Sequence, residues 1–242
     1  MITPWQLPPQ PYKLAPREMH IWRVVIPRSL HSLSGLKSLL NEEELTKAGS
    51  YYFDRDRNCY IIARGVLRTL LSSYLNTSPL ALQFTYNQHG KPFLLNSPLY
   101  FNVSHSKDII LIAISNQEKT GVDIEHMDSS RDYLKIAQRF FSPGEYQALI
   151  ACSKENQAEA FFNIWTAKEA YIKAVGKGLW IDLNSFAVSV WPTAPACLLH
   201  SADETIADWH LQRFNPWEGY KAAYAVSPGI EQINFYEWVK CQ

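Results

Sequence analysis

The chain has 242 residues, room for one large domain or two small ones. Its 47% hydrophobic and 13% aromatic content permits a substantial core and excludes wholesale disorder. Basic and acidic residues balance at 23 each, so no sequence-wide field draws the chain to nucleic acid or a membrane surface, and any anion site must come from local clustering. The N-terminal stretch MITPWQLPPQPYKLAPREM carries five prolines and no apolar run, so it predicts an extended arm (1–18) lying on the body rather than a secretory signal. MHIWRVVIP (19–27) alternates as a strand, and LHSLSGLKSLLNEEELTKAGSYY predicts one or two short helices, with Glu42, Glu43 and Glu44 as a solvated first turn. DRDRNCYIIARGVLRTLLSSYL (54–75) is a long amphipathic helix. QFTYNQHGKPFLL reads as strand, turn, strand; YFNVSHSKDIILIAIS (100–115) as two strands around a polar turn; GVDIEH follows them.

The second part repeats that order. RDYLKIAQRFFSPGEYQALIA gives helices, with Ser142 and Pro143 as N-cap and first residue of one of them. AEAFFNIWTAKEAYIKAV (158–175) is a long helix stopped by glycines, GKGLWIDLNSFAVSVW supplies strands, and WHLQRFNPWEGYKAAYAVS (209–227) is a hairpin. FNVSHSKDIILIAIS and FNPWEGYKAAYAVS both run Phe-Asn, polar turn, alternating strand, Ser. This predicts an α+β chain of two similar halves related by pseudo-twofold symmetry, 1–116 and 117–242, with a site at their interface. Two fused halves predict a monomer. The cysteines, Cys59, Cys152, Cys197 and Cys241, form neither CxxC nor zinc spacing; scattered thiols suit a reducing, cytoplasmic setting. No apolar run approaches a membrane span.

Several side chains carry possible chemistry. In an extended GVDIEH, Asp123 and Glu125 point to one side, and two carboxylates side by side call for an offsetting cation; for this short motif alone, two acids in a solvated loop are the favoured reading. Trp165, Glu169 and Lys173 stand four apart on one helix face. Glu169 before Lys173 is a favourable i,i+4 pair, worth roughly 0.2–0.5 kcal/mol, and Lys168, Lys173 and Lys177 suit solvent; yet Trp165 would waste its ring on water. Ser104 and His105 lack a triad acid and point opposite ways on a strand, which favours His105 as a phosphate donor or a turn histidine over a hydrolase base. HGKP presents Lys91 on a glycine turn. Arg55, Arg57, Arg64 and Arg68 form either an exposed basic helix face or forks for phosphate.

Together, HGKP, FNVSHS, GVDIE and WTAKEAYIKAVGKG in this order resemble the Sfp-type 4'-phosphopantetheinyl transferases, over about Tyr51 to Val226, with FDRDRNCYIIARGVLR and FFSPGEYQAL in place. The resemblance implies two similar α+β halves and a magnesium-dependent transfer of the phosphopantetheine arm of coenzyme A to a serine of an acyl or peptidyl carrier protein, releasing 3',5'-ADP. It implies that Asp123, Glu125 and Glu169 hold magnesium. Lys173 would contact the coenzyme's phosphates; Ser104, His105, Lys91 and Pro92 would bind the coenzyme; Arg55, with Arg57 as rival, would meet the nucleotide phosphate, and Arg64 would add a contact. Glu169, assisted by Lys173, is the expected catalytic group. Arg131, Lys135 and Arg139, with Phe140 and Phe141, form either a carrier-docking stripe or a solvated helix face. The competing expectations are a magnesium-dependent phosphohydrolase and a coenzyme A binding module without catalysis.

Overall fold

The computed structural model describes residues 1–128, 130, 132–190, 196–201 and 209–239. In chain order the elements are β1 (Glu18–Val25), α1 (Ile26–Ser29), α2 (Leu33–Lys37), α3 (Glu42–Gly49), α4 (Asp54–Leu75), β2 (Phe84–Tyr86), β3 (Pro92–Leu94), β4 (Tyr100–Ser106), β5 (Ile109–Ser115) and β6 (Thr120–His126). They continue with α5 (Tyr133–Phe140), α6 (Pro143–Ile150), α7 (Lys154–Val175), β7 (Phe186–Val188), β8 (Leu198–Ser201), β9 (His210–Phe214), β10 (Tyr220–Val226) and β11 (Gln232–Glu237). The α+β class and both long helices follow the sequence pattern. The GKGLW stretch does not: it forms a 3-10 turn, Gly178–Trp180, because Gly176 and Gly178 both take positive φ, and Phe186 to Val188 supply the strand.

Two sheets organise the molecule. One runs β11-β1-β5-β4 and the other β6-β10-β9. β1 is antiparallel to β5, from Met19 opposite Ser115 to Val25 opposite Ile109. It is parallel to β11, which carries the chain back from the second half to the first sheet. Helix α4 covers one face of the first sheet, packing Ile62, Val66, Leu70 and Leu71 against Trp22, Ile110, Ile112 and Ile114. Helix α7 covers the second sheet through Ala167, Ala170, Tyr171 and Ala174. The remaining faces of the two sheets meet each other through Met19, Ile21, Leu111, Val122, Ile124 and Tyr224. Because β1 and β5 are covered on both faces, they read as near-continuous apolar runs. Each fully buried Ile or Leu in these layers contributes about 1.5–3 kcal/mol.

The N-terminal arm lies across both sheets' ends. Trp5 donates its indole N–H to Pro216 O, and Gln6 bridges to Tyr236 on β11. Arg23 is sandwiched between the rings of Trp5 and Trp217 and pairs with Glu237 at 2.6 Å. Cys59, Cys152 and Cys197 are free thiols, and no helix among the described residues is long and apolar enough to cross a membrane.

Three charged groups that the sequence places in solvent are buried. Glu44 closes a capping box with Asn41 and pairs with Arg64 and Arg68; Arg68 is fully enclosed and also donates to Pro79 O. Lys168 is likewise fully enclosed, its ammonium bonded to both Glu145 oxygens at 2.8 Å and to Phe186 O at 2.7 Å. Glu145 itself closes a capping box on Ser142, with Pro143 opening α6 as expected.

Candidate active site

Strand β6 runs along α7 at close quarters. A Cβ on Gly121 would stand 2.1 Å from the carbonyl oxygen of Ala170 and 2.5 Å from the nitrogen of Ala174, so only glycine allows this approach. The approach sets Asp123 beside the Lys173 ammonium, with Nζ 2.6 Å from Oδ1. Ser104 of β4 completes the group: its hydroxyl donates to Asp123 Oδ1 at 2.9 Å and accepts from Lys173 Nζ at 2.8 Å.

One cleft of about 420 Å³ is lined by Val103, Ser104, His105, Asp123, Glu125, Trp165, Glu169 and Lys173. The acids of GVDIE and of the C-terminal half of α7 thus share one space, although 44 residues separate Glu125 from Glu169 in the chain. Trp165 forms a wall, stacked on Phe161. Burial, followed by the charges of Asp123 and Glu125, raises the Glu169 carboxyl above its ordinary pKa, while Lys173 partly counters them. Glu169 makes no hydrogen bond or ion pair with another described residue, which leaves it available to a ligand. Asp123 Oδ2 is buried without a partner, an arrangement that costs free energy unless something else fills it.

The three carboxylates line one cleft, but no group of three or more His, Cys, Asp or Glu among the described residues can by itself hold an ion. At Asp123, Oδ1 is already taken by Lys173 and Ser104. What remains fits a hard cation that also draws on ligands from elsewhere: carboxylate oxygens, one orphaned, around a centre of excess negative charge.

A second cavity, about 350 Å³, adjoins the first and shares Val103 and His105 with it. It is mainly apolar, lined by Tyr51, Cys59, Tyr60, Leu67, Pro92 and Phe101, with Arg64 and Asp56 at its polar side. His105 stands between the cavities. The residue keeps access to solvent, yet desolvation by its surroundings, together with the Lys173 ammonium, lowers its pKa. Arg64 borders the apolar cavity while pairing with Glu44 at 3.0 Å and covering the Phe84 ring. Arg55 is exposed at the start of α4 and makes no ion pair with a described residue, whereas Arg57 is held by Asp54 and by Tyr51 O.

Lys91 lines neither cavity. Its ammonium donates to Thr120 O and Ala174 O, at 3.1 and 3.0 Å, and burial brings its pKa down to about 8. It braces the start of β6 against the end of α7, while Asn87 of the same turn donates to Gly176 O. Of the basic stripe, Lys135 is paired with Asp132 in solvent, Arg139 lies over the Phe140 ring, and Arg131 lies outside the described residues. Phe140 in turn meets Trp165 edge-on, so Arg139 and Phe140 continue outward from the wall of the cleft; Phe141 is buried instead.

Comparison with known proteins adds to this geometry. Residues 119–225 match the family described as the 4'-phosphopantetheinyl transferase superfamily, and residues 27–117 match the 4'-phosphopantetheinyl transferase N-terminal family. The chain is 34% identical over 238 residues to the 4'-phosphopantetheinyl transferase HetI of Nostoc sp. (strain PCC 7120), covering 97% of this chain and 98% of that one. It is 33% identical over 193 residues to the 4'-phosphopantetheinyl transferase gsp of Aneurinibacillus migulanus, 80% of this chain and 78% of the other. Against the 4'-phosphopantetheinyl transferase Sfp of Bacillus subtilis (strain 168) identity is 32% over 187 residues, 77% and 81% of the two chains.

Proposed function

The chain belongs to the 4'-phosphopantetheinyl transferase superfamily and is an enzyme of that activity, and from this premise we propose how its cleft acts on coenzyme A and an apo acyl or peptidyl carrier protein. The observation that supports the reading best is the meeting of Asp123, Glu125, Glu169, Lys173 and Ser104, from three separate segments, in one cleft. The reaction is attack by a carrier serine hydroxyl on the β-phosphorus of the coenzyme's pyrophosphate, which forms the new phosphoester bond, breaks the bridging P–O bond and releases 3',5'-ADP. Its demands are alignment and charge neutralisation.

The apolar cavity takes the nucleotide end of coenzyme A, with Pro92 and the tyrosines as walls and Arg64 as a contact at its polar side. Arg55, unpaired at the mouth of α4, is favoured over Arg57 for the nucleotide phosphate. His105, between the cavities, and Lys173, inside the cleft, receive the pyrophosphate. Carboxylates of Asp123, Glu125 and Glu169, completed by pyrophosphate oxygens, are the residues that would hold magnesium. When bound there, the ion supplies neutralisation of the pyrophosphate oxygens and polarisation of the phosphorus. Glu169, beside the cleft's other groups, takes the proton of the attacking serine, directly or through water. Lys173 offsets the charge on the leaving oxygen. Arg139 and Phe140, beside the Trp165 wall, receive the carrier.

Mass spectrometry of an apo carrier incubated with the protein, coenzyme A and magnesium tests the reading. The expected result is a carrier heavier by one phosphopantetheine, dependent on magnesium and abolished by a chelator. Degraded coenzyme A with an unmodified carrier indicates a hydrolase; neither change indicates a binding module.

A further inference from the structure

The FNVSHS strand contributes more than its Ser-His pair. Asn102, Ser104 and Ser106 alternate along β4 and so present one side of the strand. Opposite them, β6 offers the amides of Val122, Ile124 and His126. Val122 N donates to Asn102 Oδ1 at 2.9 Å, Ile124 N to Ser104 Oγ at 3.4 Å, and His126 N to Ser106 Oγ at 3.0 Å. The two sheets therefore meet here through side chains bound to main chain, not through a shared ladder.

Each serine then repeats one act. With its oxygen accepting a main-chain N–H, a hydroxyl has its single proton left to give. Ser104 gives it to Asp123, and Ser106 gives it to Glu125 Oε2 at 3.0 Å. The period of two on β4 matches the period of two in Asp-Ile-Glu on β6, so one register serves both carboxylates. The structure assigns Ser106 as the positioning residue for Glu125: it fixes the carboxylate's rotation, as Ser104 does for Asp123. This inference rests on the transferase reading of the cleft, in which Glu125 helps hold magnesium.

The test compares Ser106→Ala, Ser106→Thr, Glu125→Gln and the Ser106→Ala/Glu125→Gln double variant with the wild type. Magnesium chloride is titrated calorimetrically into each protein with coenzyme A bound, and the melting temperature is followed in parallel. Ser106→Ala is expected to weaken magnesium uptake by about 10–100-fold, the usual cost of losing a hydrogen bond behind a metal ligand, with coenzyme A affinity unchanged in the absence of metal. Ser106→Thr, which keeps the hydroxyl, is expected to retain the wild-type titration. The double variant is expected to match Glu125→Gln alone, because a residue acting through Glu125 has nothing left to position. An alanine variant that titrates like the wild type overturns the inference, as do additive losses in the double variant, which would mark a purely structural seam. Should Ser106→Ala not fold, the threonine variant decides: a weakened titration there overturns it. A wild type that takes up magnesium yet modifies no carrier sinks the transferase reading instead and leaves this comparison standing.

Discussion

Glu169 answers to two opposing demands. In the proposed transfer it is the base; for the fold it is a half-buried carboxylate crowded by Asp123 and Glu125. Since its folded pKa lies above the ordinary 4.5, folding favours the protonated form. The stability from this group is full below the unfolded pKa and is lost as pH rises through the folded one. Glu169→Gln is therefore expected to raise the melting temperature at neutral pH without metal, and the gain to vanish near pH 4. The same variant should lower transfer by about 10²–10⁴-fold, the range of general acid–base contributions, with a smaller loss of coenzyme A binding. Lys168, the neighbour of Glu169 in sequence, faces the opposite task. Replacing it with Met leaves Glu145 as a buried charge and is expected to cost about 3–5 kcal/mol of unfolding free energy, read by urea denaturation.

Helix α7 is where these residue properties become geometry. Its period sets Trp165, Glu169 and Lys173 on one face, which the sequence alone shows. What turns that face toward Asp123 is packing: Lys168 anchors an adjoining side of the helix to α6 and β7, and Gly121 lets β6 lie against the helix backbone. Gly121→Ala must push the two apart. An ångström of misplacement at a reacting group costs about 10²-fold in turnover, so kinetics of carrier modification should fall by that order, with stability down about 1–3 kcal/mol from overpacking. Both long helices, the hairpins and the Ser142 cap were legible because each is written in local periodicity or a capping pattern. Glu44, Arg68 and Lys168 were not, because their charged partners lie 20 to 24 positions away and a local pattern treats such charges as solvated. Lys91 read as a site residue from its turn; that its ammonium closes onto two main-chain carbonyls is a tertiary fact.

Across the whole molecule, the parallel return of β11 to β1 was equally out of reach, since the paired residues stand at opposite ends of the chain. It draws Trp5, Arg23, Trp217 and Glu237 into one knot that ties arm, first sheet and second sheet together. The cleft, by contrast, opens on the face where Trp165, Phe140 and Arg139 lie. With zero formal net charge, the protein has no overall field to gather a carrier protein, so the proposed docking relies on local groups such as Arg139. Arg139→Glu is expected to raise KM for the carrier several-fold, with the penalty changing as salt is added and KM for coenzyme A unaltered. Steady-state kinetics with each substrate varied in turn separates the two constants.

Along β6, neighbouring amides live under different protection. Those of Val122, Ile124 and His126 are covered only by single side-chain oxygens of β4, whereas the alternate ones turn toward the β10 ladder. A small parting of the lobes would release the first set to deuterium and leave the second untouched. Every second position of GVDIEH thus serves as a clock for lobe opening, and substrate that clamps the cleft should slow those three exchange rates in unison.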